Sequence, residues 1–258
     1  MIFPDTHMQE KKKRHTFQVS VESWGWSQIG NVRKENQDCF LNWADRLVWA
    51  VADGVGGSSD GGAASRLIIE NLMQLGAPTS LDDHAQSAAG QIHMANEFFY
   101  KQRLAGGSIA ASTVTALLIH SGTAVCLWAG DSRCYLLRNS VLYQCTRDHT
   151  LRQEKIDSGE LTEREARQMV KGNIITNAVG ANQHLSLGEV RFPVRAGDRF
   201  LLTTDGLTNL LSTEAIANKL GRDSAKDACE GIVDAVEDLR QPDNITLVAV
   251  FLSHAERE

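Results

Sequence analysis

The sequence lacks any paired-cysteine motif, since its five cysteines contain no C-x-x-C. The odd number argues against a complete disulfide framework, and the missing pairs argue against a thiolate zinc site. Most of the cysteines lie in apolar runs, which is typical of small buried hydrophobes. Reduced thiols favour a cytoplasmic protein. The cysteines are Cys39, Cys126, Cys134, Cys145 and Cys229.

Long apolar runs and a basic excess are also absent. No run approaches the roughly 20 residues that cross a bilayer, so we expect no membrane insertion. The net charge is −6, from 26 Lys and Arg against 32 Asp and Glu, which gives no reason to expect a nucleic-acid partner. The basic run Lys11–Arg14 has no apolar segment beside it and is no secretory signal. We interpret residues 1–16 as a flexible tail, with a partner-binding arm as the alternative.

The chain has enough apolar residues, 42% against 22% charged, for an ordinary globular enzyme. No linker or repeat divides it, so we predict one domain over residues 17–258. Consecutive strands of hairpin length favour antiparallel sheets, and helices gathered in pairs favour a layered α+β sandwich. We predict strands at 17–26, 38–43, 47–52, 112–119, 124–129, 134–137, 141–145, 185–192, 200–204 and 245–252. We predict helices at 63–75, 82–103, 150–170, 213–220 and 224–239.

Five aspartates share one kind of position, at the end of a predicted strand. Asp53 and Asp205 each follow an apolar run and precede a glycine, whose backbone carbonyl can become a ligand. An acid at the rim of a buried sheet is costly without water, a donor or a cation. Five converging acids would repel, and a hard divalent ion such as Mg²⁺ or Mn²⁺ would remove the repulsion. The alternative is that each is a turn former, since Asp-Gly is a common turn dipeptide. The other three are Asp38, Asp131 and Asp243.

Five segments, in this order and spacing, resemble the bacterial metal-dependent type 2C (PPM) serine/threonine protein phosphatases. The resemblance runs from about Ser27 to Val250. It implies a four-layer α-β-β-α sandwich of two antiparallel sheets with a metal cleft at one end. It also implies phosphoserine and phosphothreonine hydrolysis by direct attack of a metal-bridging water. The segments are Arg33–Asp38, Ala52–Gly57, Ala129–Arg133, Thr203–Leu207 and Pro242–Thr246.

The resemblance also implies a role for each matching residue and a cofactor of Mn²⁺ or Mg²⁺, with two ions bound tightly and a third weakly. Arg33 would grip the substrate phosphate, because a guanidinium donates two parallel hydrogen bonds. The alternative for Arg33 is a surface ion pair with Glu35 or Asp38. The implied metal-site roles are bridging acid for Asp53, carbonyl ligand for Gly54, second-metal ligands for Asp205 and Asp243, water-binding acid for Asp38, and third-metal ligand, with Asp205, for Asp131.

The chain departs from the family pattern at three positions. Gln37 replaces a frequent Glu, Val55 stands where many eukaryotic members have a histidine, and Asn177 replaces a frequent Arg. The third change affects a secondary contact rather than the metal centre. Residues 148–173 match the family's flap beside the cleft, and their polar composition predicts a mobile lid or a solvated hairpin without a role. His149 is either a donor near the phosphate or a residue at the entry to a helix.

The resemblance implies a phosphorylated protein substrate and a cognate Ser/Thr kinase, and we expect a monomer. Residues 128–138 and 146–154 resemble the subgroup associated with type VI secretion. Two other functions compete with this one. A phosphatase-like fold could act as a binding module, and Gly57–Gly61 satisfies the G-x-S-x-G pattern of a serine hydrolase with Ser59 as nucleophile.

Overall fold

The computed structural model describes residues 19–55, 61–107, 110–170 and 174–255. Within these ranges the chain forms eleven strands and seven α-helices. The strands are β1 (Val19–Gln28), β2 (Asp38–Trp43), β3 (Val48–Val55), β4 (Ala111–Ser112), β5 (Val114–His120), β6 (Thr123–Ala129), β7 (Arg133–Arg138), β8 (Val141–Gln144), β9 (Gly188–Pro193), β10 (Arg199–Thr203) and β11 (Ile245–His254). The helices are α1 (Gly61–Leu72), α2 (Leu81–Leu104), α3 (Leu151–Asp157), α4 (Glu163–Met169), α5 (Asp205–Thr208), α6 (Thr213–Leu220) and α7 (Ala225–Glu237).

The strands form two antiparallel sheets. One has the order β1-β11-β10-β7-β8, and the other has the order β2-β3-β5-β6-β9 with β4 paired to β3. Strand β5 and most of β6 are buried on both faces, because helices cover one face and the opposite sheet covers the other. This double burial explains why their sequences are continuous apolar runs rather than alternating ones.

Three layers of core separate four layers of secondary structure. The faces of the two sheets pack against each other through residues such as Trp49, Leu117 and Phe200. Helices α1 and α2 cover the sheet that contains β3, with Ile68 and Ile92 in the contact. Helices α6 and α7 cover the sheet that contains β11. The prediction of a four-layer α-β-β-α sandwich is therefore confirmed.

Local differences from the sequence-based expectation have identifiable causes. Asp205 does not end a strand but opens the short helix α5. The predicted helix 150–170 divides into α3 and α4, because Gly159 adopts a left-handed conformation and Thr162 caps a new helix. The predicted strand 185–192 begins only at Gly188, since Leu185 and Leu187 pack toward the helices instead.

Two predicted features lie outside the described residues: the N-terminal tail, residues 1–16, and Ser59. Strand β3 continues through Gly54 to Val55, where β4 pairs with it, so the glycine-rich break begins later than the sequence suggests. Across the part of the chain that is described, no helix has the length and apolar character needed to span a membrane.

Candidate metal centre

Asp38 and Asp53 lie directly opposite each other on the antiparallel pair β2–β3. Residues opposite each other on such a pair project their side chains on the same face. Asp38 is buried, and its Oδ2 accepts a hydrogen bond from Thr204 Oγ1 at 2.9 Å. Its other oxygen, Oδ1, has no protein partner. Because Thr204 follows β10 in the other sheet, this bond joins the two sheets at the end where the acids lie.

A chain of hydroxyl groups connects Asp53 to the turn that carries Asp131. The backbone N–H of Asp53 donates to Thr113 Oγ1 at 3.1 Å, and Thr113 Oγ1 lies 2.7 Å from Ser132 Oγ. Asp131 precedes Ser132 and is buried, with no protein partner for its Oδ2. The end of β3 that carries Asp53 and the β6–β7 connection that carries Asp131 are thereby held in a fixed relation.

Gly54 and the start of α1 are in close contact. A Cβ at Gly54 would lie 2.4 Å from the carbonyl carbon of Gly61, a distance that side chains do not tolerate. The Gly54 N–H donates to the Gln37 carbonyl at 3.2 Å. Glycine is therefore required here by close packing, in agreement with the expected close approach of the backbone.

Asp205 and Asp243 lie next to strand ends of the other sheet, Asp205 after β10 and Asp243 before β11. Asp205 opens α5, and Asn209 donates to its Oδ2 at 3.1 Å. Asp243 lies two residues before the start of β11 and receives two parallel hydrogen bonds from Arg33, at 2.8 Å from Nε and 2.7 Å from Nη2. Arg33 therefore forms an ion pair, but its partner is Asp243 and not Glu35 or Asp38.

Asn244 is a structural element of this site that sequence reasoning missed. Its Oδ1 accepts the Gln37 N–H at 2.8 Å, and its Nδ2 donates to the carbonyls of Ile29 and Glu35 at 2.9 and 3.0 Å. Asn244 thus fastens the loop that contains Arg33 to the turn of Asp243. The available signal was its position beside an acid within one of the five motif segments.

The charges of the other four aspartates act on Asp53. Burial raises the pKa of Asp53 well above its ordinary value, and the charges of the other four aspartates raise it further. Burial also raises the pKa of Asp38 to about 7, with Asp205 and Asp243 adding to the shift. The pKa of Asp131 rises to about 7, chiefly through burial and the charge of Asp205. Isolated turn formers would show no such mutual repulsion.

The five acids suit a divalent cation by their chemistry rather than by their spacing in this structure. Among the described residues, no three His, Cys, Asp or Glu side chains are placed to hold one ion together. Both carboxylate oxygens of Asp243 accept hydrogen bonds from Arg33 in this structure. Two buried oxygens without partners, Asp38 Oδ1 and Asp131 Oδ2, and a set of oxygen donors only nevertheless suit Mg²⁺ or Mn²⁺. The donor chemistry of these residues therefore fits such an ion.

The flap, residues 148–173, is attached beside Asp131. Asp148 accepts hydrogen bonds from Arg133 Nε and Nη2 at 2.9 and 2.6 Å. Thr150 forms an isolated bridge with Ile175, which closes the base of the α3–α4 hairpin. Apart from residues 171–173, which lie outside the described ranges, the flap consists of α3, α4 and the turns that flank them.

A family model described as protein phosphatase 2C matches residues 31–241. The chain belongs to this family. The match spans all seven predicted site residues except Asp243, and the family prediction is thereby confirmed. The serine-hydrolase alternative is not favoured.

Curated and solved relatives agree with the assignment. PhpP of Streptococcus pneumoniae is 29% identical over 238 residues, covering 89% of this chain and 97% of that protein. PppA, described as a key regulatory component of the type VI secretion system in Pseudomonas aeruginosa, has a TM-score of 0.83 at 33% identity, covering 91% of this chain and 99% of that one. The catalytic domain of PstP, solved with two manganese ions, has a TM-score of 0.80 at 28% identity, covering 91% of this chain and 99% of that one.

Proposed function

We propose that this chain is a metal-dependent protein serine/threonine phosphatase that hydrolyses phosphoserine and phosphothreonine. The observation that carries the proposal is the position of Asp53, on which the charges of Asp38, Asp131, Asp205 and Asp243 all act. The family assignment supports it, because the curated relatives are named protein phosphatases. A thiol nucleophile is not required, and burial of Cys229 raises the pKa of that thiol to about 12, where it stays protonated.

The acids would hold divalent cations, Mn²⁺ or Mg²⁺, between the ends of the two sheets. We assign Asp53 and the Gly54 carbonyl to the first ion, and Asp53, Asp205 and Asp243 to the second. Asp131 would hold a third, weaker ion together with Asp205. The bound cations would supply an acidified water as the nucleophile and positive charge for the phosphoryl oxygens.

Asp38 and Arg33 would act on the reacting groups. Asp38 Oδ1 has no protein partner, so it is available to accept a hydrogen bond from the attacking water. Thr204 donates to the other oxygen and fixes the direction of the carboxylate. Arg33 presents two parallel N–H groups, now given to Asp243, that match two oxygens of a phosphate equally well.

The cellular role, location and oligomeric state of the phosphatase form a second part of the proposal. The likeness to PppA supports a role in the regulation of type VI secretion, in which the chain would oppose a Ser/Thr kinase. We propose a cytoplasmic monomer consisting of one domain over residues 17–258. Co-expression with candidate kinases from the same cell, followed by phosphoproteomics with and without the phosphatase, would identify the substrate.

The activity is tested by phosphate release from a phosphothreonine peptide in Mn²⁺. Wild type should turn over, and Asp205→Asn should lose most activity because it removes a charged ligand while keeping its shape. Asp45→Asn is the matched control, since Asp45 is exposed and lies at the far end of the β2–β3 hairpin. Peptide binding without turnover by wild type would instead support the binding-module alternative. Turnover of Asp205→Asn at the wild-type rate would make Asp205 a turn residue only.

A further inference from the structure

His149, at the base of the flap, contacts both the carbonyl and the N–H of Gly130. The His149 backbone N–H donates to the Gly130 carbonyl at 2.9 Å, and the Gly130 N–H points to His149 Nδ1 at 3.3 Å. Gly130 has a φ of +104°, and a Cβ there would lie 2.5 Å from the Thr113 side chain. These contacts hold the backbone directly before Asp131 in a conformation that glycine adopts freely and that a side chain would not tolerate.

Asn177 approaches the same nitrogen from the other side. Its Nδ2 lies 2.9 Å from His149 Nδ1 and donates to the Ser186 carbonyl at 2.6 Å. The Ser186 N–H points back to Asn177 Oδ1 at 3.5 Å. These two backbone contacts fix which end of the amide is the NH₂ group, and it is this donor that faces the imidazole.

Two N–H donors thus point at Nδ1, and neither can be satisfied if Nδ1 carries a proton. We infer that Asn177 holds His149 as the neutral tautomer protonated at Nε2, and that His149 in this form is a positioning residue for Asp131. Asn177 stands where the family frequently has Arg, so this hydrogen-bond arrangement depends on a residue in which the chain departs from the family pattern. The inference deepens the proposed function, on which its catalytic consequence rests.

The surroundings of the imidazole favour the neutral form. The ring stacks on Trp128 with 6.1 Å between centroids. Burial lowers the pKa of His149, against the opposite effect of Asp148 and Glu154. Asp148 is itself paired with Arg133 and accepts from Gln144 Nε2 at 3.1 Å, so its charge is already compensated. The tautomer is therefore set by hydrogen bonds rather than by a charged neighbour.

The tautomer is measured by long-range ¹H–¹⁵N correlation spectra of ¹⁵N-histidine-labelled full chain in Mg²⁺, with His149 assigned by its loss in His149→Asn. Wild type should show a neutral ring protonated at Nε2. In Asn177→Asp the new carboxylate accepts, so Nδ1 should gain a proton and the Gly130 amide should exchange faster with solvent. Asn182→Asp is the control, because Asn182 is exposed in the same loop and its side chain does not contact the ring. A wild-type ring protonated at Nδ1, or an unchanged ring in Asn177→Asp, would overturn the inference.

A second pair of variants tests positioning without relying on Asn177. His149→Asn places an acceptor oxygen near the position of Nδ1 and should keep both the protection of the Gly130 amide and most of kcat. His149→Leu offers no acceptor and should lose protection and about fivefold in kcat, with KM for a phosphopeptide nearly unchanged. Equal losses in both variants would mean that the ring, not the acceptor, matters. If wild type proves inactive, the spectra and amide exchange still decide the hydrogen-bond assignment, so the two failures are distinguishable.

Discussion

Arg33 and Asp243 form a bidentate ion pair at the rim of the acidic cluster, with N–O distances of 2.8 and 2.7 Å. They are separated by 210 positions in the chain, and each is assigned a different partner in the proposed reaction. Arg33 would bind the substrate phosphate, and Asp243 would bind a cation. In the proposed reaction both groups would therefore exchange partners when metal and substrate bind.

Substitution of Arg33 by alanine tests this exchange. Arg33→Ala should raise KM for a phosphopeptide by about 10- to 100-fold, the cost of losing a hydrogen bond to a charged group. The Mn²⁺ concentration for half-maximal activity should stay equal or fall by less than about fivefold, because an exposed ion pair contributes little. Steady-state kinetics at varied peptide and Mn²⁺ concentrations measures both quantities.

Arg46→Ala is the control for lost positive charge, since Arg46 lies at the opposite end of the β2–β3 hairpin from Asp38. It should change neither quantity. An Arg33→Ala variant with normal KM but weaker Mn²⁺ dependence would show that Arg33 supports the metal ligands and does not bind phosphate.

The raised pKa of Asp38 makes a prediction about stability without metal. An acid whose pKa is higher in the folded state stabilises the fold below its unfolded pKa and loses this contribution as pH rises through the folded value. For Asp38 the window runs from 3.8 to about 7. In EDTA at pH 8, Asp38→Asn should therefore be more stable than wild type by about 4 kcal/mol, with the difference vanishing near pH 4.

Urea unfolding at both pH values measures this difference, with Asp45→Asn as the control for an exposed aspartate. Asp38→Asn should also lose most activity, so that stability and function change in opposite directions. If Asp38→Asn were less stable than wild type at pH 8 in EDTA, other groups of the protein would already stabilise the Asp38 carboxylate, and a cation would not be needed to do so.

Thr204 is expected to position Asp38 through its hydroxyl group. Thr204→Val removes the donor to Asp38 Oδ2 while keeping the side-chain shape, and it should lower kcat about fivefold. Thr204→Ser retains the donor and should remain near the wild-type rate. If both variants lose activity equally, the methyl group rather than the hydroxyl is what the site requires.

Asp131 is expected to matter for the leaving group rather than for the two tight ions. Asp131→Ala should still bind two ions tightly by calorimetry. It should lower kcat much more for a phosphopeptide, whose leaving alkoxide needs a proton, than for p-nitrophenyl phosphate, whose leaving group does not. Comparable losses on both substrates would refute a role in proton supply, and loss of a tight ion would place Asp131 among the ligands of the tight pair.

Local sequence pattern predicted the strands that carry Asp38 and Asp53, because apolar runs and turn residues act over a few positions. The placing of Asp38 directly opposite Asp53 comes from the register of β2 and β3, which the two apolar runs did not specify. The helix that begins at Asp205 was not predicted, because its four residues are too few to show a helical period.

Contacts between distant segments could not be predicted in the same way. The pairing of Arg33 with Asp243 and the three backbone contacts of Asn244 join loops about 210 positions apart. Glu35 and Asp38 are closer to Arg33 in the sequence. The pairing of β1 with β11 instead brings the loop after β1, which contains Arg33, next to the residues that precede β11. The resemblance to a family implied the roles of the site residues. The structure adds the residues that connect those acids by hydrogen bonds, such as Thr113 and Thr204.

Metal restoration of phosphate release tests the central claim most directly. Protein stripped with EDTA and dialysed should release no phosphate from a phosphothreonine peptide, and added Mn²⁺ should restore turnover in wild type but not in Asp53→Asn. Full turnover by the stripped protein in excess EDTA, or equal restoration in Asp53→Asn, would contradict the account of five aspartates that converge to hold catalytic cations.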